Sequence, residues 1–254
     1  MRKLIPILSI VLASVESAAQ TDEVWQPFVM SRVGPTLEPA QVAVETGAGY
    51  NGLPQNHTAR LDDAYQGSSW LAASAGLVKG VELSGSVGIS QVPSRGWGLA
   101  DARAEVRFKL LDRPLGLPLS VAASAGYQRD WQQQNAAEAA LLLSSEVGRL
   151  RFVANVRAAH YFHAGRDALD VFATAGAAMR LTDWLQGGVE YLGEELEGVG
   201  GSEVDAGGGG RHFIGPSTTI MVPHSTLRLN MTAGPEFTPV GSGLLVRGSV
   251  GYVF

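Results

Sequence analysis

The sequence predicts an all-β chain: a transmembrane, antiparallel, up-and-down barrel of about twelve strands, within a range of roughly ten to fourteen. Three observations lead there. Residues 1–19 run from Arg2-Lys3 through the apolar stretch Leu4 to Val15 to the small residues Ser17-Ala18-Ala19, the charged, apolar and cleavable order of a secretory signal. No later stretch approaches the roughly 18 apolar residues that a membrane-spanning helix needs, so a mature chain that crosses a bilayer must do so as a closed barrel. The remaining sequence alternates apolar and polar residues, segment after segment.

Composition agrees. Glycine stands at 32 of 254 residues and charged residues at only 17%, against roughly 7% and 25% in soluble domains. A barrel in lipid has this balance, because the outward half of each strand is apolar while Gly, Ala and Ser fill a crowded inside. Taking away Arg2, Lys3 and Glu16 with the signal lowers the 19 basic and 24 acidic residues to 17 and 23, a net charge of −6. That acidity argues against nucleic acid as a partner. With no cysteine, an oxidising compartment offers the exported chain no disulfide.

After the signal, residues 20–40 carry Pro27, Pro35 and Pro39 and show no sustained period, so they are expected to form a periplasmic lead-in or a small plug before a barrel over 41–254. Gln41 to Tyr50 is the first expected strand, with Val42, Val44, Thr46, Ala48 and Tyr50 opposite Glu45, Gly47 and Gly49. Asn51 to Ser68 is polar and turn-rich, a long loop. Trp70 to Val78 and Val81 to Gln91 flank the tight turn Lys79-Gly80. Trp97 to Leu111 opposes Ala102, Ala104, Val106, Phe108 and Leu110 to Arg103, Glu105, Arg107 and Lys109.

Asp112-Arg113-Pro114 turns the chain, because proline cannot donate to a ladder, and leads into Leu117 to Tyr127. Ala136 to Glu146 follows, although its run of Ala and Leu would also suit a helix. Leu150 to Phe162, Leu169 to Leu181 and Leu185 to Leu192 come next. Gly193 to Gly210 is an acidic, glycine-rich loop before His212 to Val222. Leu227 to Gly234, a loop over 235–243 and Leu244 to Phe254 complete twelve. Links after even strands are mostly short and three after odd strands are long, the arrangement of short periplasmic turns and longer external loops.

The last strand places Leu244, Val246, Gly248, Val250, Tyr252 and Phe254 on one face and Leu245, Arg247, Ser249, Gly251 and Val253 on the other. Ending on Phe254 with Tyr252 two positions earlier, it resembles the C-terminal closing strand of Gram-negative outer-membrane β-barrels. The resemblance implies residence in the cell outer membrane, contact with its lipid, and recognition of Tyr252 and Phe254 by the barrel-assembly machinery. One such strand could also end a soluble sandwich, where aromatics would lie centrally. Here they gather at strand ends: Tyr50, Trp70, Trp97, Tyr127, Trp131, Tyr161 and Tyr191 towards the long loops, and Phe108, Phe152, Trp184, Tyr252 and Phe254 towards the turns. Two aromatic girdles are what membrane interfaces select.

The faces opposite lipid nominate the lumen-lining residues Glu45, Glu105, Arg107, Lys109, Glu138, Glu146, Arg151, Arg157, Arg180, Glu190, Arg228, Glu236 and Arg247. Small residues share these faces, among them Gly47, Gly49, Ala72, Ser74, Gly76, Ser84, Ser86, Ala122, Ser124, Thr174, Gly176 and Gly188. A charged wall with room inside suits a porin-like channel passing small hydrophilic solutes. The alternative is a lumen closed by salt bridges in a structural or anchoring barrel, since eight strands are filled by their own side chains and sixteen leave an aqueous channel. Strand closure is expected to bring Arg247 near Glu45, leaving Arg151, Arg157, Arg180 and Arg228 to give a mild preference for anions.

Outer-membrane barrels also include enzymes with a Ser–His or Asp–His constellation at the rim, a third reading. His160 and His163 lie on opposite faces of a strand, because their spacing is odd, and His224-Ser225 lies in a turn without an evident third partner. His212 remains a rim candidate. Asn56-His57-Thr58 matches a glycosylation acceptor, a pattern short enough to occur by chance. Gly207 to Gly210 lacks the strand-to-helix context of a phosphate loop, and Glu203 with Asp205 beside it would hold calcium only weakly. No catalytic residue, cofactor or metal site is therefore expected, and the sequence does not indicate the oligomeric state.

Overall fold

The computed structural model describes residues 28–52, 67–92, 96–112, 118–130, 134–162, 169–194, 196, 210–238 and 241–254. The expected signal over residues 1–19, Trp131, His163, the Asn56-His57-Thr58 triplet and the Glu203/Asp205 pair lie outside the described residues. The strands are β1 (Val42–Asn51), β2 (Gly67–Val78), β3 (Val81–Val92), β4 (Gly96–Asp112), β5 (Leu119–Asp130) and β6 (Asn135–Val147). They continue with β7 (Leu150–Tyr161), β8 (Leu169–Arg180), β9 (Leu185–Glu194), β10 (Arg211–Met221), β11 (Arg228–Thr238) and β12 (Gly241–Val253). Each pairs antiparallel with its neighbours in the chain, and β12 returns to β1 over nine residue pairs from Ala43↔Val253 to Asn51↔Leu245. The sheet is a closed barrel.

Alternation decides which side each residue occupies. Along β7, Arg151, Val153, Ala159 and Tyr161 are buried, whereas Phe152, Ala154, Val156 and His160 are exposed. The same period runs through β6, where Ala136, Glu138, Leu142 and Ser144 point in and Ala137, Ala139 and Leu141 point out. Its Ala-Leu run is a strand because a neighbour on each side takes up its backbone groups. Burial is inverted relative to a soluble domain: Glu82, Arg103, Glu105, Arg107, Glu190 and Glu236 are buried, while Val87, Val156 and Met231 are 44%, 52% and 62% exposed. Carbon chains facing outward all round a closed wall suit hydrocarbon, where no backbone group may be left unpaired.

At the turn end, two-residue links close β2 to β3 and β6 to β7, with Gly80 at φ 80° and Gly148 at φ 60°, a conformation that costs glycine little. Tyr50, Trp97, Tyr127, Phe108, Phe152, Trp184 and Phe254 lie outward and exposed, and the Tyr252 and Phe254 rings meet edge to face at 4.7 Å. Two expected girdle aromatics do not join them. Trp70 shares its parity with Ala72 and Ser74 and lies over Gly47 in the lumen, where a β-carbon on Gly47 would be 2.1 Å from the ring. Tyr161 also turns inward, 3% exposed, against Ala136, Ala159 and Phe172.

The expected loop over 235–243 is also corrected. β11 continues to Thr238 and β12 begins at Gly241, with Pro235 opposite Leu244. Between β10 and β11 the ladder runs from His212↔Phe237 to Phe213↔Glu236 and resumes at Ser217↔Thr232 in unchanged register. The interval holds Pro216 and Pro235, neither of which has an N–H to give. It also holds Gly215 and Gly234, whose added β-carbons would each lie 2.3 Å from a carbonyl oxygen of the facing strand. The wall therefore tolerates a proline pair by drawing two glycine backbones together.

Val87→Arg or Val156→Arg, each on an outward mid-strand position, should destabilise the folded barrel in lipid by about 2–4 kcal/mol. Ser86→Arg, whose side chain faces the lumen cavity, should cost clearly less. Urea titration of the three variants in vesicles compares them; equal losses would contradict the assignment of faces.

Candidate functional site

The lumen is the site. Residues 28–40 do not belong to the wall but run inside it, entering at the turn end beside β2 and reaching Glu190 of β9. Phe28, Ser31, Val33 and Leu37 are buried, Phe28 and Ser31 completely. Phe28, Val33, Val153 and Ala178 form one apolar cluster, and the absence of a side chain at Gly176 leaves the space the Phe28 ring fills, because a β-carbon there would be 2.5 Å from it. At the entry, Ala40 N–H donates to the Gly76 carbonyl at 3.0 Å and Gly76 N–H to the Gln41 carbonyl at 2.9 Å.

The wall binds this inner strap mainly through its backbone. The fully buried Glu190 carboxylate accepts from Met30 N–H at 2.7 Å, Ser31 N–H at 3.0 Å and Val29 N–H at 3.3 Å. Glu82 accepts from Leu37 N–H at 3.0 Å, and Ser144 Oγ accepts from Gly34 N–H at 3.1 Å. Arg32 pairs with Glu105. Strap donors thus meet wall acceptors, which satisfies backbone groups that would otherwise be buried without partners.

Between strap and wall remains a cavity of about 210 Å3. Small residues, including Ala72, Ser74, Ser86, Gly88, Ser124 and Thr174, line part of it. Its charged lining is nearly balanced, with Arg32, Arg103, Arg107, Arg157, Arg228 and Arg247 beside Glu45, Glu82, Asp101, Glu105 and Glu194. The lumen can hold water and polar solutes in a field of both signs.

Every nominated lumen residue keeps its inward parity, and the structure brings many of them together. Arg228 pairs with Glu45 at 3.1 Å. Glu146 joins Arg151 and, at 3.4 Å, Arg180 at the turn end. Arg107 lies 3.6 Å from Glu82 and 3.7 Å from Glu105. Arg103 bridges Glu138 at 3.0 Å and Gln128 at 2.9 Å, and Lys109 reaches Asp112 at 3.2 Å. Arg211, buried like both its partners, joins Glu236 and, at 3.0 Å, Glu194.

The expected neighbourhood of Arg247 and Glu45 is not formed. Register places Arg247 opposite Gly49 and Glu45 opposite Gly251, so their inward positions are offset along the wall. Arg247 instead stacks on the Trp70 ring at 4.6 Å, a cation over an aromatic face. Arg103, Glu82, Asp101, Glu194, Arg211 and Trp70 were not among the nominated residues. Arg103 and Glu82 stand on the polar faces of their strands and could have been found by parity alone. Glu194 was hidden because β9 extends two residues into the glycine-rich segment expected as loop, and Arg211 because β10 begins one residue before the expected His212.

The histidines take separate places. His160 is outward and meets Phe162 edge to face at 5.6 Å, His212 shares a hydrogen bond of 2.9 Å with the Tyr191 hydroxyl on the outer face, and His224 sits in the β10–β11 turn at φ 61°.

No protein-family model matches the chain, and no curated protein matches it in sequence. Solved structures match its fold. An outer-membrane channel from Pseudomonas putida F1 superposes with a TM-score of 0.57 at 9% identity, over 87% of this chain and 98% of that one. The KdgM porin gives 0.54 at 11% identity over 84% and 99%, and the NanC porin 0.52 at 10% identity over 82% and 98%. The chain therefore has the closed barrel fold of outer-membrane porins and channels.

The arginine at the centre of the Glu194–Arg211–Glu236 group has buried partners on both sides, and removing it leaves two carboxylates facing each other. Arg211→Met should lower stability by about 3–5 kcal/mol, the range for breaking a buried pair, read as a fall in the urea midpoint. The triple variant Glu194→Gln, Arg211→Met, Glu236→Gln should recover much of the loss, and no recovery would show that the ion pairs are not its origin.

Proposed function

We propose that this chain, exported by the signal at residues 1–19, is an outer-membrane channel for passive, weakly selective passage of small hydrophilic solutes. The observation that carries this reading is the cavity inside the closed wall, lined by small side chains and by charges of both signs. A barrel needing only to anchor itself could fill that space with apolar side chains, at less desolvation cost than buried ions. The fold shared with porins and channels supports the reading by analogy only, since fold alone does not carry function.

A second reading, a structural barrel with a closed lumen, is favoured by the density of ion pairs and by the strap across the interior. Single-channel recording in a planar bilayer separates the two. Discrete ohmic steps favour the channel, while a silent barrel of correct β-type circular dichroism favours the structural role.

Position relative to the cavity narrows the list of arginines that would set charge preference. Arg157 and Arg247 line it, whereas Arg151 and Arg180 meet Glu146 at the turn end, outside its lining. The channel should show a mild preference for anions that falls as salt screens the wall. Arg157→Gln or Arg247→Gln should reduce it, and Arg180→Gln should change it less. Reversal potentials in a salt gradient read this; cation preference, or no response to either cavity variant, would remove these arginines from the selectivity of the pore.

A further inference from the structure

We propose that residues 28–40 are an autoinhibitory strap, a displaceable gate that closes the pore until it swings out as a unit about the Glu38–Gln41 hinge. The proposal rests on the channel reading and adds a closed and an open state to it. Its first ground is that the barrel is complete without the strap. Every strand from β1 to β12 has its two neighbours, and the ring closes through β1 and β12. Withdrawal of residues 28–37 breaks no ladder bond.

The second ground is the form of the attachment. Below the hinge, the wall holds the strap through side-chain contacts and not through sheet pairing, among them the Glu190 carboxylate on three successive N–H groups, Glu82 on Leu37, Ser144 on Gly34, Arg32 on Glu105, the Phe28 ring over Gly176 and the packing of Phe28 and Val33 on Val153 and Ala178. At the hinge the chain leaves the lumen wall through Ala40, at φ 66°, and the paired Gly76 contacts keep that point fixed. Among the described residues, a segment fixed at its hinge and latched elsewhere by side chains has two arrangements open to it.

The third ground is that two of the latching carboxylates are not stranded when the strap leaves. Arg107 lies 3.6 Å from Glu82 and 3.7 Å from Glu105. It compensates both, which lowers the barrier to release that unpaired buried charges would impose. The backbone donors of the strap pass to water.

The chain has no cysteine of its own, so a disulfide can lock the strap cleanly. Gly34 lies against Ser144, with an added β-carbon 3.1 Å from Ser144 Oγ, within the reach of a disulfide between Gly34→Cys and Ser144→Cys. In the full chain carrying both substitutions, oxidation should abolish the large conductance steps and reduction should restore them, while each single-cysteine variant stays indifferent to redox state. Glu190→Ala, without the latch, should spend a larger fraction of time open. If the pair forms its disulfide and the current is the same oxidised and reduced, the strap is not a gate although the channel stands. If the pair does not cross-link, the strap is not held where it is placed and the proposal falls. If wild type, the reduced pair and Glu190→Ala are all silent, the channel reading fails and takes the gate with it.

Discussion

The closure of β12 on β1 is the constraint from which the remaining structure follows. Inside hydrocarbon each exposed N–H or C=O costs several kcal/mol, so an open sheet edge is excluded and the last strand must find the first. Once the ring is shut, the two-residue period of a strand divides every side chain between lipid and lumen. Leu244, Val250 and Phe254 face out, and Arg247 and Ser249 face in, for the same geometric reason. The proline interval between β10 and β11 shows how firmly closure is imposed: two donors are missing, yet the register passes through unchanged.

A narrow lumen then governs the charges. Ionic side chains that strands send inward lie within a few ångströms of one another, and away from the turn end several of the pairs they form are buried, as for Arg211 with side chains of Glu194 and Glu236 at 7% and 0% exposure. Such pairs define the shape of the interior more than they stabilise it, because desolvation offsets much of their attraction. Arg157, Arg247 and Trp70 line the cavity, whereas Arg151 and Arg180 meet Glu146 at the turn end. The strap fits into what remains, offering backbone donors to carboxylates already held inside.

Legibility in the sequence follows period. Twelve strands, their faces and the inward parity of every nominated charge were readable because a half-lipid strand leaves little freedom in where its polar residues stand. Trp70 was misplaced when a rule about aromatic girdles overrode parity that Ala72 and Ser74 state plainly. The meeting of Arg247 with Trp70 rather than Glu45 was not readable, since it depends on strand offset around the ring, which no local pattern records. For residues 28–40 the sequence left a periplasmic lead-in and a small plug both open, and their path was not readable for a different reason: a strap that bonds through its main chain has no side-chain period to display. Pro235 misled because proline usually ends a strand, whereas here the prolines of two neighbouring strands fall within one interruption of the ladder.

Cysteine scanning along β12 tests the central claim, that this wall separates lipid from an aqueous interior residue by residue. Single cysteines at 244 to 251 in vesicles, on a chain with none of its own, are offered a water-soluble thiol reagent and separately a lipid-phase quencher of an attached fluorophore. Positions 245, 247, 249 and 251 should react with the first, and 244, 246, 248 and 250 should respond to the second. Uniform reaction of both sets with the aqueous reagent, or the opposite alternation, would contradict the inside and outside assigned to the barrel.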